Sequence, residues 1–347
     1  MPRKLVLVSR RSVEFQQYDD PGLGDDGVLF RSRWSAISTG TELQLYNGTA
    51  PRFGSQWDEE SRLLEPRDPS KPPYPAELGY ETVARVEAVG AKVRGYKPGD
   101  VYWLDAPHRE THLLRAGSRT PHRRFSARID SRHAAFYPLT RVALGAVHDA
   151  RPLVGDVVAI FGAGVVGVLC AQIYLHAGVR RVYVVDQNKF RLDVAAAVGA
   201  QIIDSSDNDP VRTIKGDCGG VDSVIEASGT YAALEQALKT ATVGGVVVAV
   251  SSYGNQSDGI TLGHEFHRNR ITLIASMTVN NCPHPEAPRW NFDRLNDEAS
   301  HLIEDRKLNL DPLLVTPIPF NDAPLAYRML TDTPYPPAKI FLDYEAM

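Results

Sequence analysis

Two patterns of apolar and polar positions divide the chain. Through the middle, short strand-like runs at 157–161, 182–185, 221–229 and 244–251, mostly apolar, alternate with helix-compatible segments, and they end on small, acidic or turn-forming residues. Such runs read as strands buried on both faces, and their alternation with helices predicts an α/β fold, a doubly wound parallel sheet. Residues 1 to about 136 differ. Strand-like runs at 27–34 and 81–89 are broken by Asp20-Pro21-Gly22, Val89-Gly90-Ala91 and Lys97-Pro98-Gly99-Asp100. Frequent short strands between Gly and Pro turns predict a small β-barrel or sandwich. The Pro-rich, charged stretch 51–75 reads as an extended surface loop. Beyond Trp290 a helix over 293–304 and a final strand over 338–344 are expected. The economical arrangement returns this tail to the first domain, so that 1–136 with 285–347 form one domain and 137–284 the other.

The first central strand runs into Gly162, Gly164 and Gly167, spaced as G-x-G-x-x-G. In a strand–turn–helix setting the first glycine makes the turn. The second admits a pyrophosphate to the backbone, and the third lets helix and strand pack closely. Gly162, Gly164, Val165, Val166 and Gly167 are therefore expected along the pyrophosphate, where a helix N-terminus favours anions. Asp186 closes the second strand, where a carboxylate would accept the adenosine ribose hydroxyls. Its charge would repel a 2′-phosphate, so NAD is favoured over NADP. Arg191 reads as flanking the adenine or as a solvated helix residue. Ala227, Ser228 and Ser251 end the later strands, where the switch-point rule places the nicotinamide. The bland alternative is a glycine-rich core turn with no ligand.

Composition changes this picture little. A net charge of −4 in 347 residues offers no basic field for nucleic acid. The apolar stretch 157–175 approaches membrane-spanning length, but its three glycines and Gln172 favour a buried strand and helix, so no membrane role is expected. Three scattered cysteines imply no disulfide framework, and the N-terminus reads as a strand rather than a secretory signal. A cytoplasmic protein is expected.

Several further motifs agree in order with one family. Ser38-Thr39-Gly40-Thr41-Glu42-Leu43 resembles the Cys-Gly-Thr-Asp element of the medium-chain dehydrogenase/reductases, the alcohol dehydrogenase superfamily. Pro75-Ala76-Glu77-Leu78-Gly79-Tyr80-Glu81 resembles their Gly-His-Glu element, and Gly99-Asp100-Val101 and the nucleotide fingerprint follow. The resemblance covers nearly the whole chain. It implies a GroES-like β-barrel catalytic domain joined to a Rossmann domain, with the active site in the cleft between them. In zinc-dependent members the Cys, the His and a third Cys, Glu or Asp hold the catalytic metal. Here Thr39 and Tyr80 fall at the first two positions and the third falls near Arg141. Zinc needs thiolate, imidazole or carboxylate donors, and the four-cysteine structural lobe is missing too, so no metal is expected. Gly79-Tyr80-Glu81, Ala106-Pro107-His108-Arg109-Glu110 and Glu265-Phe266-His267-Arg268 are similar to a zinc-poor subgroup resembling bacteriochlorophyllide dehydrogenases.

Without zinc, a general base must take the hydroxyl proton and donors must hold the oxyanion. Thr41 falls at the family's relay hydroxyl and reads equally as a helix cap. Gln44 cannot replace a relay histidine. Tyr80 is a donor candidate at the former metal position or a buried structural tyrosine, and Thr39 is a weaker donor. Glu81 reads as an ion-pair partner of Arg141 or as a neighbour holding Tyr80. Among His108, His148, His264 and His267, His108 is preferred as a base. The reading is a zinc-independent NAD-dependent oxidoreductase. It would move a hydride between nicotinamide and a carbinol or ketone carbon of a polar hydroxylated small molecule: a sugar, a cyclitol or a biosynthetic intermediate. The alternatives are a redox-neutral enzyme with tightly held NAD, an enoyl or quinone reductase, and a non-catalytic nucleotide sensor. The resemblance also implies a homodimer, formed around 271–283.

Overall fold

A computed structural model of the chain describes residues 1–347 except 21, 69–72, 116, 254–258, 278–283, 316 and 347. The expected turn at Pro21, Cys282 and the distal part of the expected dimer segment thus lie outside the described residues. Two compact units result, 1–136 with 314–347, and 137–313.

In the first unit the central strand is Gly27–Ile37, which pairs antiparallel with Thr82–Val89 and with Thr111–Arg115. Register irregularities at Leu29/Phe30 and Ser32/Trp34 interrupt its pairing with Thr82–Val89, as β-bulges do. Val101–Leu104 and His122–Phe125 extend the sheet on one side, and Ile340–Asp343 and Ile318–Pro319 on the other. The expected return of the C-terminal strand is present, with Ile340 opposite Ile37 and Leu342 opposite Ser35. Leu5, Leu7, Ile37, Leu78, Phe320, Tyr327 and Leu342 form one core, and Phe30, Val86, Tyr102 and Leu104 another.

The stretch read as an extended loop is more ordered than that. Pro51–Phe53 makes a 3₁₀ turn, and Ser55–Asp58 pairs with Leu63–Pro66 as a hairpin. Trp57 faces Leu64 across it, and Asp58 Oδ1 accepts the Ser61 amide at 2.6 Å in the connecting turn. An aromatic–aliphatic cross-strand pair and an aspartate turn offset the prolines and charges.

The second unit is a six-stranded parallel sheet. In spatial order its strands are Gln201–Asp204, Arg181–Asp186, Val157–Phe161, Val221–Glu226, Ala241–Ala249 and Thr272–Ala275. This is the doubly wound order, reversing direction beside the fingerprint strand. The boundary drawn at 284/285 is corrected to 313/314. Helix Phe292–Glu304 buries Leu295, Ala299 and Ile303, and its Asn296 Oδ1 accepts from Arg141 at 3.1 Å. Gln172 further ties Asn309 to the Rossmann helix Val165–His176 by two hydrogen bonds of 3.2 and 2.6 Å. The apolar stripe therefore packs on the nucleotide fold, a choice of partner that helical periodicity alone does not encode. Cys170 and Cys218 are free thiols. Among the described residues no helix is long and apolar enough to cross a membrane.

Candidate active site and cofactor cradle

The fingerprint adopts the expected strand–turn–helix. Gly162 has φ +104°, and a Cβ there would stand 2.8 Å from the Ser228 amide nitrogen. A Cβ on Gly167 would meet Gly162 O at 1.9 Å, whereas nothing lies within 4 Å of one on Gly164. First and third glycines are thus required by packing, and the second faces open space. Gly164 is the N-cap of helix Val165–His176 and supplies no side-chain cap. The other α-helices that follow it in this unit are capped by the side chains of Asn188, Asp209, Thr230 and Asn291. The first-turn amides of Val165 and Val166 are therefore left for an anion.

Asp186 stands at the tip of its strand beside this turn. Its Oδ2 accepts the Ala163 amide at 2.7 Å, and its Oδ1 accepts Gln187 and Asn188 at 2.7 and 2.8 Å. Oδ2, with one bond, keeps acceptor capacity for a ribose hydroxyl. Arg191 is half-buried, and burial lowers its proton affinity while Asp186 raises it. Ala227 and Ser228 abut Gly162, and Ser251 packs near Gly229, a Cβ on which would meet the Ser251 Cβ at 3.3 Å. Sequence reasoning missed Glu226, which organises this corner. Fully buried, it accepts the Ser228 amide at 2.8 Å, the Ser228 hydroxyl, the Gly229 amide and the Tyr253 hydroxyl. A carboxylate closing the run Val-Ile-Glu-Ala was the available signal. These residues fit a dinucleotide.

The second group lies in the first unit. Glu42 sits in helix Thr41–Tyr46, whose N-cap is Gly40, so Thr41 does not cap it. Glu42 Oε1 accepts the Ser38 amide at 2.8 Å, and Oε2 accepts from Tyr327 at 2.6 Å and from His108 Nε2 at 2.9 Å. His108 is fully buried and also meets Ser35 Oγ at 2.7 Å. Its ring lies against Gly79, where φ is +103° and a Cβ would meet His108 N at 2.8 Å. The histidine preferred as a base is thus a buried support beneath Gly79-Tyr80-Glu81, with both nitrogens engaged.

Tyr80 donates to Ser38 Oγ at 2.7 Å, and its hydroxyl also lies beside Thr41. Burial first, then the Glu81 charge, raises its phenol well above the ordinary range, so Tyr80 stays a neutral donor at working pH. Thr39 Oγ1 donates to Ala338 O at 3.3 Å, while Thr41 is exposed. Glu81 is fully buried, and its ion-pair partner is Lys339 rather than Arg141. Lys339 is the second residue missed. Its only signal was a lone cation within the closing apolar run Ala-Lys-Ile-Phe-Leu.

The structure thus brings Tyr80, Thr41, Ser38 and Glu81 together, and assigns His108 to their support. The hydroxyl, phenol and guanidinium of Thr39, Tyr80 and Arg141 do not fit zinc. Among the described residues no group of three or more His, Cys, Asp or Glu side chains could hold a metal ion.

Comparison with known proteins supplies the family. Residues 165–293 match the family model for zinc-binding dehydrogenases. D-guloside 3-dehydrogenase of Escherichia coli K12 is 28% identical over 339 residues, 95% of this chain and 96% of that one. L-threonine 3-dehydrogenase of Anaeromyxobacter dehalogenans is 30% identical over 279 residues, 70% of this chain and 74% of that one. The crystal structure of 2R,3R-butanediol dehydrogenase from Bacillus subtilis superposes with a TM-score of 0.78 at 20% identity, covering 99% of each chain. With the doubly wound sheet, the fingerprint geometry and these relatives in agreement, the chain belongs to the medium-chain, alcohol dehydrogenase-like family of zinc-binding dehydrogenases.

Proposed function

We propose that the protein is an NAD-dependent oxidoreductase working without catalytic zinc on a secondary alcohol of a polar, polyhydroxylated substrate such as a sugar, glycoside or cyclitol. The hydroxyl cluster of Tyr80, Ser38 and Thr41 beside Glu81 supports this reading, because Tyr80 falls by sequence resemblance at one of the family's metal-ligand positions and gathers these hydroxyls around it. The nicotinamide cofactor supplies the hydride acceptor. Tyr80 would donate to the substrate oxygen, Thr41 would bind a neighbouring hydroxyl, and Asp186 would select NAD by repelling a 2′-phosphate. The relatives above, named for a glycoside and a hydroxy amino acid, support a polar hydroxylated substrate. Among the described residues Thr272–Ala275 has a sheet neighbour on one side only, which supports a homodimer formed along this edge.

The test is a panel of polyols and glycosides with NAD or NADP, read as reduced nucleotide formed, using protein treated with chelator and then supplied with zinc. NAD-linked oxidation unaffected by either treatment is expected. Activity lost on chelation and restored by zinc overturns the metal-free reading, and a strong NADP preference overturns the role of Asp186.

A further inference from the structure

We propose that Glu81 Oε1 is the proton acceptor for the substrate hydroxyl, and that Lys339 is the positioning residue that keeps this carboxylate ionised until it takes the proton. The proposal rests on the functional reading above.

Glu81 and Lys339 are 0% and 1% exposed, and the Lys339 ammonium bonds Glu81 Oε2. The other oxygen, Oε1, is buried with no hydrogen-bond partner among the described residues. A buried carboxylate oxygen left unpaired is costly, and in native structures such an atom asks for an explanation. Tyr80, next in the chain, borders the same carboxyl, but its proton goes to Ser38 Oγ. A purely structural ion pair would not need the free oxygen. A proton acceptor would.

The surrounding charges suit that task. Burial raises the proton affinity of Glu81, and the Lys339 charge and hydrogen bond lower it. Glu42 raises it and Tyr80 lowers it, for a net upward shift. Glu42 is itself held by His108 and Tyr327, and Lys339 lies over the Phe136 ring. A base is most effective when its proton affinity approaches the working pH, and an upward shift moves a carboxylate that way. In the step, the substrate O–H bond breaks and its proton passes to Glu81 Oε1. The carbinol C–H bond breaks with its electron pair leaving as hydride to nicotinamide C4, and a C=O bond forms. The substrate loses two electrons and the cofactor gains them.

The full-length protein and its Lys339→Met, Lys339→Arg and Glu81→Gln variants would be titrated by infrared difference spectroscopy, and their NAD-linked rates followed against pH. In Lys339→Met, a protonated-carboxyl band absent from Glu81→Gln should be present at neutral pH, and the acidic limb of kcat/KM should move to higher pH. Lys339→Arg should restore both. Glu81→Gln, which preserves volume, should lose on the order of 100-fold in kcat and lose that limb. An ionised Glu81 at neutral pH in Lys339→Met, an unmoved limb, or native kcat in Glu81→Gln overturns the proposal. If Lys339→Met does not fold, Glu81→Gln decides alone. Native protein that oxidises no alcohol with NAD overturns the functional reading itself, whereas native activity with an unmoved limb overturns only the pair.

Discussion

His108 Nε2 stands 2.9 Å from Glu42 Oε2 with both side chains buried, and this contact joins the turn at 38–42 to the turn at 79–81. Removing one partner leaves a buried charge uncompensated, which costs about 3–5 kcal/mol. His108→Ala should therefore lower unfolding stability by that order, measured by urea denaturation. Burial alone would raise the Glu42 carboxyl, but His108, the Ser38 amide and Tyr327 together hold it below its ordinary value. A depressed carboxyl contributes stability that is present above its unfolded value and is lost as pH falls through the folded one. Glu42→Gln should remove this acid-side loss.

A second pH effect belongs to the nucleotide-binding unit. The Glu286 amide donates to His284 Nδ1 at 3.0 Å, so His284 carries its proton on Nε2 and donates it to His148 Nδ1, also at 3.0 Å. Both rings are neutral in this arrangement, and Trp290 stacks on His284. Burial first, then the repulsion that a protonated His284 would exert, pushes His148 down to about 4 from 6.5. The unfolded chain thus binds a proton here at a pH where the folded one does not, so stability falls as pH drops from 6.5 towards about 4. Thermal unfolding across that range should show the loss, and His148→Gln should flatten it.

Asp186 holds the glycine turn and, on the proposed reading, excludes a 2′-phosphate, and one substitution can separate the two. Asp186→Asn keeps one side-chain acceptor and removes the charge that would repel a 2′-phosphate, while Arg191 stays close by. The NAD-to-NADP ratio of kcat/KM should fall by on the order of tenfold or more, equivalent to about 1.4 kcal/mol. Asp186→Ala also frees the Ala163 amide and should weaken both nucleotides.

Glu226→Ala leaves the part-buried amides of Ser228 and Gly229 without their acceptor, a loss of about 1 kcal/mol for a hydrogen bond partly open to water. Because Ser228 abuts Gly162, the Kd for NAD should rise along with the loss of stability. Calorimetric titration of Glu226→Ala against Glu226→Gln, which keeps an acceptor, checks this.

Much of the nucleotide-binding unit was legible in advance. The fingerprint glycines, Asp186 at a strand tip and the small residues at 227–228 follow from rules that act within a few residues. The helix over 293–304 was legible as an element, but its unit was not, since an apolar stripe does not say which surface it covers. His108 was misjudged for a related reason. A histidine in a loop sequence looks available, and its burial comes from Gly79 and Glu42, both distant along the chain.

By itself, then, the sequence determined the doubly wound parallel sheet, the glycine turn that opens its first helix and the return of the last strand. Strand period, glycine conformation and helix termini are short-range properties. Only the tertiary structure decided which polar groups meet in the interior. Lys339 reaches Glu81 across 258 residues and Tyr327 reaches Glu42 across 285. A buried charge persists only beside its counterpart, and nothing local to either residue names that counterpart.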